Sequence, residues 1–206
     1  MRQLVASRIT TEFDLVTSAG GNLGSISRTL TRMGVPFRLV GNDDPPGGSR
    51  PIILPGVGAF GAVMNSLKVN QFDQTIVKLV RSGTPFLGVC VGLQVLFDQS
   101  EEAPGVAGLG LIPGKVLKFR QGKVPQIGWN FIEPVNDSGW EKGYVYFVNS
   151  YYAKPDSEDV ILYRSDYYES FCAAVKTGNV TAFQFHPEKS GEFGERLLRK
   201  WINDVS

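Results

Sequence analysis

One cysteine set between two glycines carries the sharpest chemical pattern in the sequence. Residues 85–94 read Pro-Phe-Leu-Gly-Val-Cys-Val-Gly-Leu-Gln, an apolar strand that runs into Gly-x-Cys-x-Gly and the start of a helix. This is the nucleophile-elbow pattern with cysteine in the serine position, and its glycines permit a backbone approach that Cβ atoms would block. At a helix N-terminus, free N–H groups and the helix dipole favour the thiolate, so Cys90 is a candidate nucleophile. The alternative is a buried structural cysteine between helix-packing glycines.

The chain has a single histidine, so His186 is the only imidazole that can act as a base. It follows an apolar strand at the strand end where α/β folds place their active sites, and Pro187 stops the strand. Glu188 lies two residues on and can bond the second imidazole nitrogen, which is the base–orienter pair of a triad. Cys90 and His186 are distant in sequence, yet such pairs meet in a fold. Taken alone, a single histidine is more often structural.

A second glycine-rich turn follows another apolar strand, in the sequence Ile-Ile-Leu-Pro-Gly-Val-Gly-Ala-Phe-Gly at 52–61. It has neither Gly-Lys-Ser/Thr nor the Gly-x-Gly-x-x-Gly spacing, so a nucleotide site is weakly supported. Its backbone can instead offer an N–H to an oxyanion near Cys90, beside the N–H of Val91. The alternative is a strand-end turn with no chemistry.

Composition excludes several classes of protein. The 206 residues are 42% hydrophobic, with 21 Lys+Arg against 20 Asp+Glu. Such a balance is typical of globular domains and lacks the basic excess of a nucleic-acid binder. One histidine and two cysteines cannot form the usual structural zinc sites, and no clustered acidic loop suggests magnesium or calcium. We therefore expect no metal and no cofactor.

The two cysteines and the apolar runs also bear on the compartment. Cys90 and Cys172 are too few for a disulfide framework, and Cys172 lies in an apolar strand without a glycine elbow, which indicates packing. The first eight residues lack the apolar stretch of a signal peptide, and no window approaches the roughly 20 apolar residues of a membrane helix. The expected localisation is cytoplasmic.

Strand and helix patterns alternate in the first half. Short apolar runs at Phe13–Val16, Phe37–Val40, 51–54 and 86–89 predict buried strands. Apolar residues at three- and four-residue steps predict a helix from Leu23 to Met33, a long helix over 63–82 and a third directly after Cys90. This alternation favours a parallel sheet covered by helices.

The second half predicts antiparallel strands. Runs at 115–120, 143–153, 171–176 and 180–185 have few helices between them, and residues 177–179 (Thr-Gly-Asn) predict a hairpin turn. Apolar residues every four positions from Phe193 to Val205 predict a closing amphipathic helix. The predicted fold is α/β, with a central mostly parallel sheet flanked by helices and a small antiparallel sheet, in one domain over 1–206.

Three motifs together resemble the class I (triad) glutamine amidotransferases, whose fold is flavodoxin-like. They are Pro-Gly-Val-Gly at 55–58, Gly-Val-Cys-Val-Gly-Leu-Gln at 88–94 and Gln-Phe-His-Pro-Glu-Lys-Ser at 184–190. Within that family the chain is similar to the glutaminase subunits of imidazole glycerol phosphate synthases. The matching segments are Gly-Asn-Leu at 21–23, residues 55–61 and 108–114, Val-Pro-Gln-Ile-Gly-Trp-Asn at 124–130 and Tyr-Phe-Val-Asn-Ser-Tyr at 146–151.

The resemblance implies a role for each matching residue. Cys90 would attack the side-chain amide of glutamine, assisted by His186, which Glu188 orients. The oxyanion would be held by N–H groups of Val57, Gly58 and Val91. Glutamine would be bound by Gly56, Gln94, Ser150 and Tyr151. The ammonia would pass to a TIM-barrel cyclase subunit in a heterodimer of histidine biosynthesis.

Two positions depart from the family, which usually has histidine where this chain has Gln126 and Asn149. Neither belongs to the triad, but both changes open the alternative of a paralogue that supplies ammonia to another synthase, such as one amidating a surface sugar. A cysteine hydrolase or stress-response protein on a related sheet is a further alternative, as is a catalytically silent interaction module.

Overall fold

A computed structural model describes residues 9–17, 23–41, 44–136 and 139–206, so Gly21 and Asn22 of the resemblance lie outside the described residues. Within these ranges no helix has the length and apolarity needed to span a membrane. The helices are α1 (Leu23–Arg32), α2 (Phe60–Val69), α3 (Phe72–Arg81), α4 (Val91–Gln94) and α5 (Gly191–Val205). The strands are β1 (Phe13–Val16), β2 (Phe37–Val40), β3 (Ile52–Gly56), β4 (Phe86–Cys90), β5 (Gln99–Ser100), β6 (Gly114–Lys118), β7 (Gln126–Pro134), β8 (Gly143–Asn149), β9 (Tyr151–Pro155), β10 (Ile161–Asp166), β11 (Ser170–Thr177) and β12 (Val180–Phe183).

Five neighbouring strands form the parallel part of the sheet, in the order β2-β1-β3-β4-β12. Every residue of β1, β3, β4 and β12 is buried. Strands buried on both faces read as largely apolar runs, here interrupted only by Asp14 and Thr181, which is why these were predicted close to their actual bounds. The predicted α/β fold with a parallel central sheet flanked by helices is thus confirmed.

The antiparallel part continues the same sheet through β12-β11-β10-β7-β8. The predicted hairpin joins β11 to β12, with Thr177 opposite Val180. Two of these strands, β7 and β10, were not predicted, and the run over 143–153 divides into β8 and β9 at Ser150. The antiparallel strands therefore extend the central sheet and bring β7 and β8 to its far edge.

The single helix predicted over 63–82 is wrong. The chain forms α2 and α3 instead, separated at Asn70 and Gln71, where Gln71 adopts a left-handed conformation with φ 57°. Continuous helical geometry requires negative φ, so this residue breaks the helix although the apolar period continues across it. The closing helix is confirmed as α5, whose Trp201 packs on Phe13 of β1 with ring centroids 5.6 Å apart.

Three glycines allow β3, β4 and α4 to meet through backbone atoms alone. A Cβ on Gly92 would lie 2.0 Å from the Leu54 carbonyl oxygen, and one on Gly88 would lie 2.4 Å from the Gly92 carbonyl oxygen. A Cβ on Gly56 would lie 2.7 Å from the Gly92 backbone nitrogen. Because backbone atoms cannot swing aside as side chains do, these positions require glycine.

Replacing Gly92 with alanine should lower the free energy of unfolding by about 2–3 kcal/mol, since the added Cβ forces β3 away from α4. Urea denaturation followed by circular dichroism measures the change. Gly47→Ala is the matched control, because its Cβ would have no atom within 4 Å and its backbone is not left-handed. That control should keep or slightly raise stability. Equal stability of the two variants would contradict the close backbone approach.

Candidate active site

Three neighbouring parallel strands end at one edge of the sheet and bring the predicted catalytic residues together. Cys90 is the last residue of β4 and pairs in register with Gly56, the last residue of β3. On its other side β4 pairs with β12, and His186 follows three residues after Phe183. The carboxyl ends of parallel strands are where α/β proteins place their ligands.

Cys90 has an unusual backbone conformation, with φ 56° and ψ −110°. Such angles cost of order 1–3 kcal/mol for a residue with a Cβ, and are kept where the surrounding structure enforces them. The glycine contacts described above enforce this one, and they leave the side chain 5% exposed. The helix that follows, α4, is a single turn. Its dipole is correspondingly small, so neighbouring side chains must provide most of any stabilisation of the thiolate.

His186 is held rigidly beside Glu188. Its Nδ1 lies 2.8 Å from Glu188 Oε1, and both side chains are almost completely buried. The His186 backbone N–H donates to the Tyr146 carbonyl oxygen at 2.9 Å. Ser190 Oγ donates to the His186 carbonyl oxygen at 2.6 Å and accepts from the Tyr146 N–H at 2.9 Å. These bonds tie the histidine to β8, which also borders the pocket.

The electrostatics favour a charged imidazole. Burial lowers the pKa of His186, but hydrogen bonds to Cys90 and Glu188 and the charges of both groups outweigh burial and raise it from 6.5 to about 10. A charged imidazole held by a carboxylate beside a cysteine is the arrangement that activates a cysteine nucleophile. Cys172 differs, because full burial raises the pKa of its thiol to about 12. Its Sγ lies 3.4 Å from the Ala174 carbonyl oxygen.

A cavity of about 620 Å³ opens over Cys90, a size that suits a small-molecule substrate. Most of the predicted site residues line it. Gly56 does not, since it packs behind the cavity against Val91 and Gly92. The lining residues are Val57, Gly58, Cys90, Val91, Gln94, Glu102, Pro125, Val148, Asn149, Ser150, Tyr151, His186 and Lys189.

Two charged residues of this cavity, Glu102 and Lys189, were missed by the sequence analysis. Glu102 Oε2 accepts a hydrogen bond of 2.7 Å from the backbone N–H of Phe60, the first residue of α2. The carboxylate therefore caps the helix that follows the Val57–Gly58 turn and holds that turn in place. Lys189 directly follows Glu188 in the 184–190 motif. The sequence analysis assigned roles to His186 and Glu188 of that motif and none to Lys189. For Glu102 no local signal exists, because its partner lies in a distant segment.

The side-chain amide of Gln94 is already committed within the site. Its Nε2 donates to the Tyr151 carbonyl oxygen at 3.1 Å and to Gln184 Oε1 at 3.1 Å. A carboxamide nitrogen has two hydrogens, so both donors are used. Any contact of Gln94 with a ligand must therefore use its oxygen.

The two departures from the family, Gln126 and Asn149, are cross-strand partners in β7 and β8. Both are buried, and neither Gln126 Oε1 nor Asn149 Oδ1 has a hydrogen-bond partner among the described residues. Asn149 Nδ2 donates to the same Tyr151 carbonyl oxygen as Gln94, at 3.0 Å. The two residues therefore stand side by side in β7 and β8, and Asn149 lines the Cys90 cavity while Gln126 borders a neighbouring one with Trp129.

No second site competes with this one in the described part of the chain. A groove of about 620 Å³ runs along α3, lined by residues such as Asp73, Lys78 and Leu109, but it contains neither cysteine nor histidine. Nowhere in the described ranges do three His, Cys, Asp or Glu side chains group closely enough to hold a metal ion.

Comparison with known proteins agrees with the geometry. The family model of the class I glutamine amidotransferases matches residues 16–205. The chain therefore belongs to the class I glutamine amidotransferases. Two solved structures share its fold at 20% identity: a glutamine amidotransferase (TM-score 0.76, covering 93% of this chain and 98% of that one) and PurLQS from Thermotoga maritima (0.75, 95% and 99%).

Sequence relatives narrow the assignment within that family. The HisH subunit of imidazole glycerol phosphate synthase from Methanothermobacter thermautotrophicus is 43% identical over 93% of this chain and 98% of its own length. That from Deinococcus radiodurans is 41% identical over 97% and 96%. The chain is thus a member of the HisH family, as its motifs had indicated.

The single histidine makes the charge state of the site directly measurable. In the tag-free chain, the imidazole Cε1–H resonance should titrate well above 6.5, near the value of about 10 set by Cys90 and Glu188. Cys90→Ala and Glu188→Gln should each lower that pKa, because each removes a negative charge that stabilises the imidazolium. NMR titration from pH 5 to 11 reports it.

Asp204→Asn is the control, since it removes a carboxylate from the far end of α5, where Asp204 pairs with Lys176 and Lys200. The histidine pKa should not change in that variant. A parent pKa at or below 6.5 would contradict the thiolate–imidazolium pair.

Proposed function

We propose that the chain is the glutaminase subunit of an imidazole glycerol phosphate synthase, hydrolysing glutamine at Cys90 and supplying the ammonia to a cyclase subunit in histidine biosynthesis. The observation that carries the proposal is the buried Cys90–His186–Glu188 arrangement, which opens into a single cavity in a chain of the HisH family. Intact nucleophile, base and orienting group argue against a silent interaction module.

The chemistry follows from three groups in contact. Cys90 Sγ bonds to the side-chain carbonyl carbon of glutamine, the imidazolium of His186 gives its proton to the amide nitrogen, and ammonia leaves a glutamyl thioester. A water molecule then loses a proton to His186 and attacks the thioester, which releases glutamate and restores the thiolate. Glu188 keeps the imidazole oriented and stabilises its charged form through both steps.

The surrounding residues supply charge stabilisation and binding. We assign the oxyanion to backbone N–H groups of Val57, Gly58 and Val91, a set that Gly56 makes possible by letting the turn approach α4. Ser150, Tyr151 and the oxygen of Gln94 would bind glutamine. The carboxylate of Glu102 and the ammonium of Lys189 fit the two charges of an amino-acid backbone.

We place the cyclase, a TIM-barrel subunit, on the outer face of β7 and β8. Outward-facing residues of β7 are exposed at 62% for Ile127 and 57% for Trp129, and opposite them stand Val148 and Tyr146. Exposed aromatic and aliphatic surfaces of this kind are typical of protein interfaces. Val148 also lines the Cys90 cavity, so this aromatic face continues into the site where ammonia is released.

We treat residues 1–206 as one amidotransferase domain that works without a cofactor, and we propose a cytoplasmic location. Support for the single domain comes from the family match over 16–205 and from one sheet that runs from β2 to β8. The two HisH relatives are 43% and 41% identical to this chain. That similarity favours the histidine-pathway cyclase as the partner, over another synthase, even though Gln126 and Asn149 depart from the usual histidines.

Glutamine hydrolysis by the chain alone should be slow, and should rise by about tenfold or more when the cyclase and its nucleotide ligand are added. Cys90→Ala should lower the stimulated rate by at least about a thousandfold, because no other thiol reaches the cavity. Glutamate release assayed with the complex measures both effects. Cys172→Ala, the matched control, should keep the rate. Rapid turnover that ignores the partner would contradict the proposal.

Trp129→Ala should weaken binding of the cyclase by about 2 kcal/mol, roughly thirtyfold in Kd, because large aromatic side chains contribute most at interface centres. Isothermal titration calorimetry measures it. Leu39→Ala is the control, since Leu39 is 55% exposed on β2 at the opposite edge of the sheet. If both variants bind like the parent chain, the cyclase does not use the aromatic face.

A further inference from the structure

Gln184 connects β12 to His186, and its side chain is completely buried. Its Nε2 lies 3.8 Å from Cys90 Sγ and donates toward the sulfur. Its Oε1 accepts the 3.1 Å hydrogen bond from Gln94. A buried amide with both ends bonded inside an active site is fixed in one orientation, and the chemistry described above does not use it.

We propose that Gln184 is a positioning residue for the nucleophile, whose N–H holds the Cys90 thiolate in the direction of the glutamine cavity. This inference rests on the proposed role of Cys90 and deepens it. An N–H donor to a thiolate is a charge-assisted hydrogen bond, which stabilises the ionised sulfur over the thiol.

Gln94 determines which end of the Gln184 amide faces the sulfur. Both hydrogens of Gln94 Nε2 are engaged, one on the Tyr151 carbonyl oxygen and the other on Gln184 Oε1. Because Gln184 must present its oxygen to this donor, its nitrogen is left to face Cys90. A chain of amides thus runs from Tyr151 at the glutamine cavity to the sulfur atom.

The other neighbours of the sulfur act differently. The Val148 carbonyl oxygen, 3.9 Å from Sγ, accepts a hydrogen bond from the thiol and offers none to the thiolate. The charged groups facing the cavity are His186, backed by Glu188, together with Glu102 and Lys189. All of these remain when Gln184 is changed, so a substitution at 184 isolates the contribution of its amide.

Alkylation of Cys90 by iodoacetamide tests the proposal, since the thiolate forms the S–C bond as iodide leaves. The rate is measured from pH 5 to 10 on the full chain, and the Cys90 adduct is quantified by peptide mass spectrometry. Gln184→Met, similar in size but without a donor, should react about tenfold more slowly at pH 7, with its midpoint raised by about one pH unit. Its glutaminase kcat should fall, and KM is compared in Gln184→Glu, which keeps the acceptor for Gln94 and should change KM little.

Gln184→Glu keeps the acceptor for Gln94 and replaces the N–H donor with a carboxylate, so it should slow alkylation further. If circular dichroism shows that Gln184→Met does not fold, the alkylation rate of Gln184→Glu is used instead to test the proposal. Thr181→Val is the matched control, because Thr181 is buried on β12 but borders a cavity with Trp201 and Ser206, away from Cys90. Its pH profile should match the parent chain.

A pH dependence of alkylation in Gln184→Met that superimposes on that of the parent chain would overturn the proposal. If Gln184→Met does not fold, an unchanged alkylation rate of Gln184→Glu would overturn it. Protection of Cys90 by L-glutamine in the parent chain is scored separately. If L-glutamine does not protect Cys90 from alkylation, the proposed function is contradicted. If L-glutamine protects Cys90 but the alkylation midpoint of Gln184→Met is not raised, only the role of Gln184 is contradicted.

Discussion

The backbone contact among β3, β4 and the start of α4 is the constraint on which the site depends. Gly56, Gly88 and Gly92 bring main-chain atoms together at distances where no Cβ fits. This contact forces Cys90 into its positive φ and lifts the thiol out of the sheet beside the Val57–Gly58 turn. The strain at one residue is therefore maintained by the packing of three elements.

Two kinds of group act near the Cys90 sulfur: charged side chains and neutral side-chain amides. Glu188 and Cys90 stabilise the charged imidazole of His186, whereas the neutral amide of Gln184 donates toward the Cys90 sulfur and is itself held by Gln94. A neutral amide donor can orient a sulfur without itself gaining or losing a proton. Proton transfer near the sulfur therefore involves Cys90 and His186. Asn149 adds a further neutral amide to the cavity wall.

Motif-bearing residues were predictable, and residues that act across distant segments were not. Cys90, His186 and Glu188 stand in short patterns whose glycines and proline have local causes. Glu102 lines the cavity and accepts a hydrogen bond from the backbone N–H of Phe60, which is distant in sequence. No local sequence pattern predicts such a contact. Among the strands, β4 was predicted because burial on both faces leaves an apolar run. β7 was missed because its alternation is inverted: Ile127, Trp129 and Phe131 are exposed whereas Gln126 is buried, so the apolar residues do not mark a core-facing strand.

That outward apolar surface lies on β7 and β8, and β8 ends the sheet. Exposed tryptophan and tyrosine side chains on this surface favour contact with other chains, so the isolated chain would be prone to self-association and to recognition by chaperones and proteases. If the proposed cyclase covers this surface, the abundance of the chain in a cell would follow the amount of cyclase, because uncovered copies would be removed.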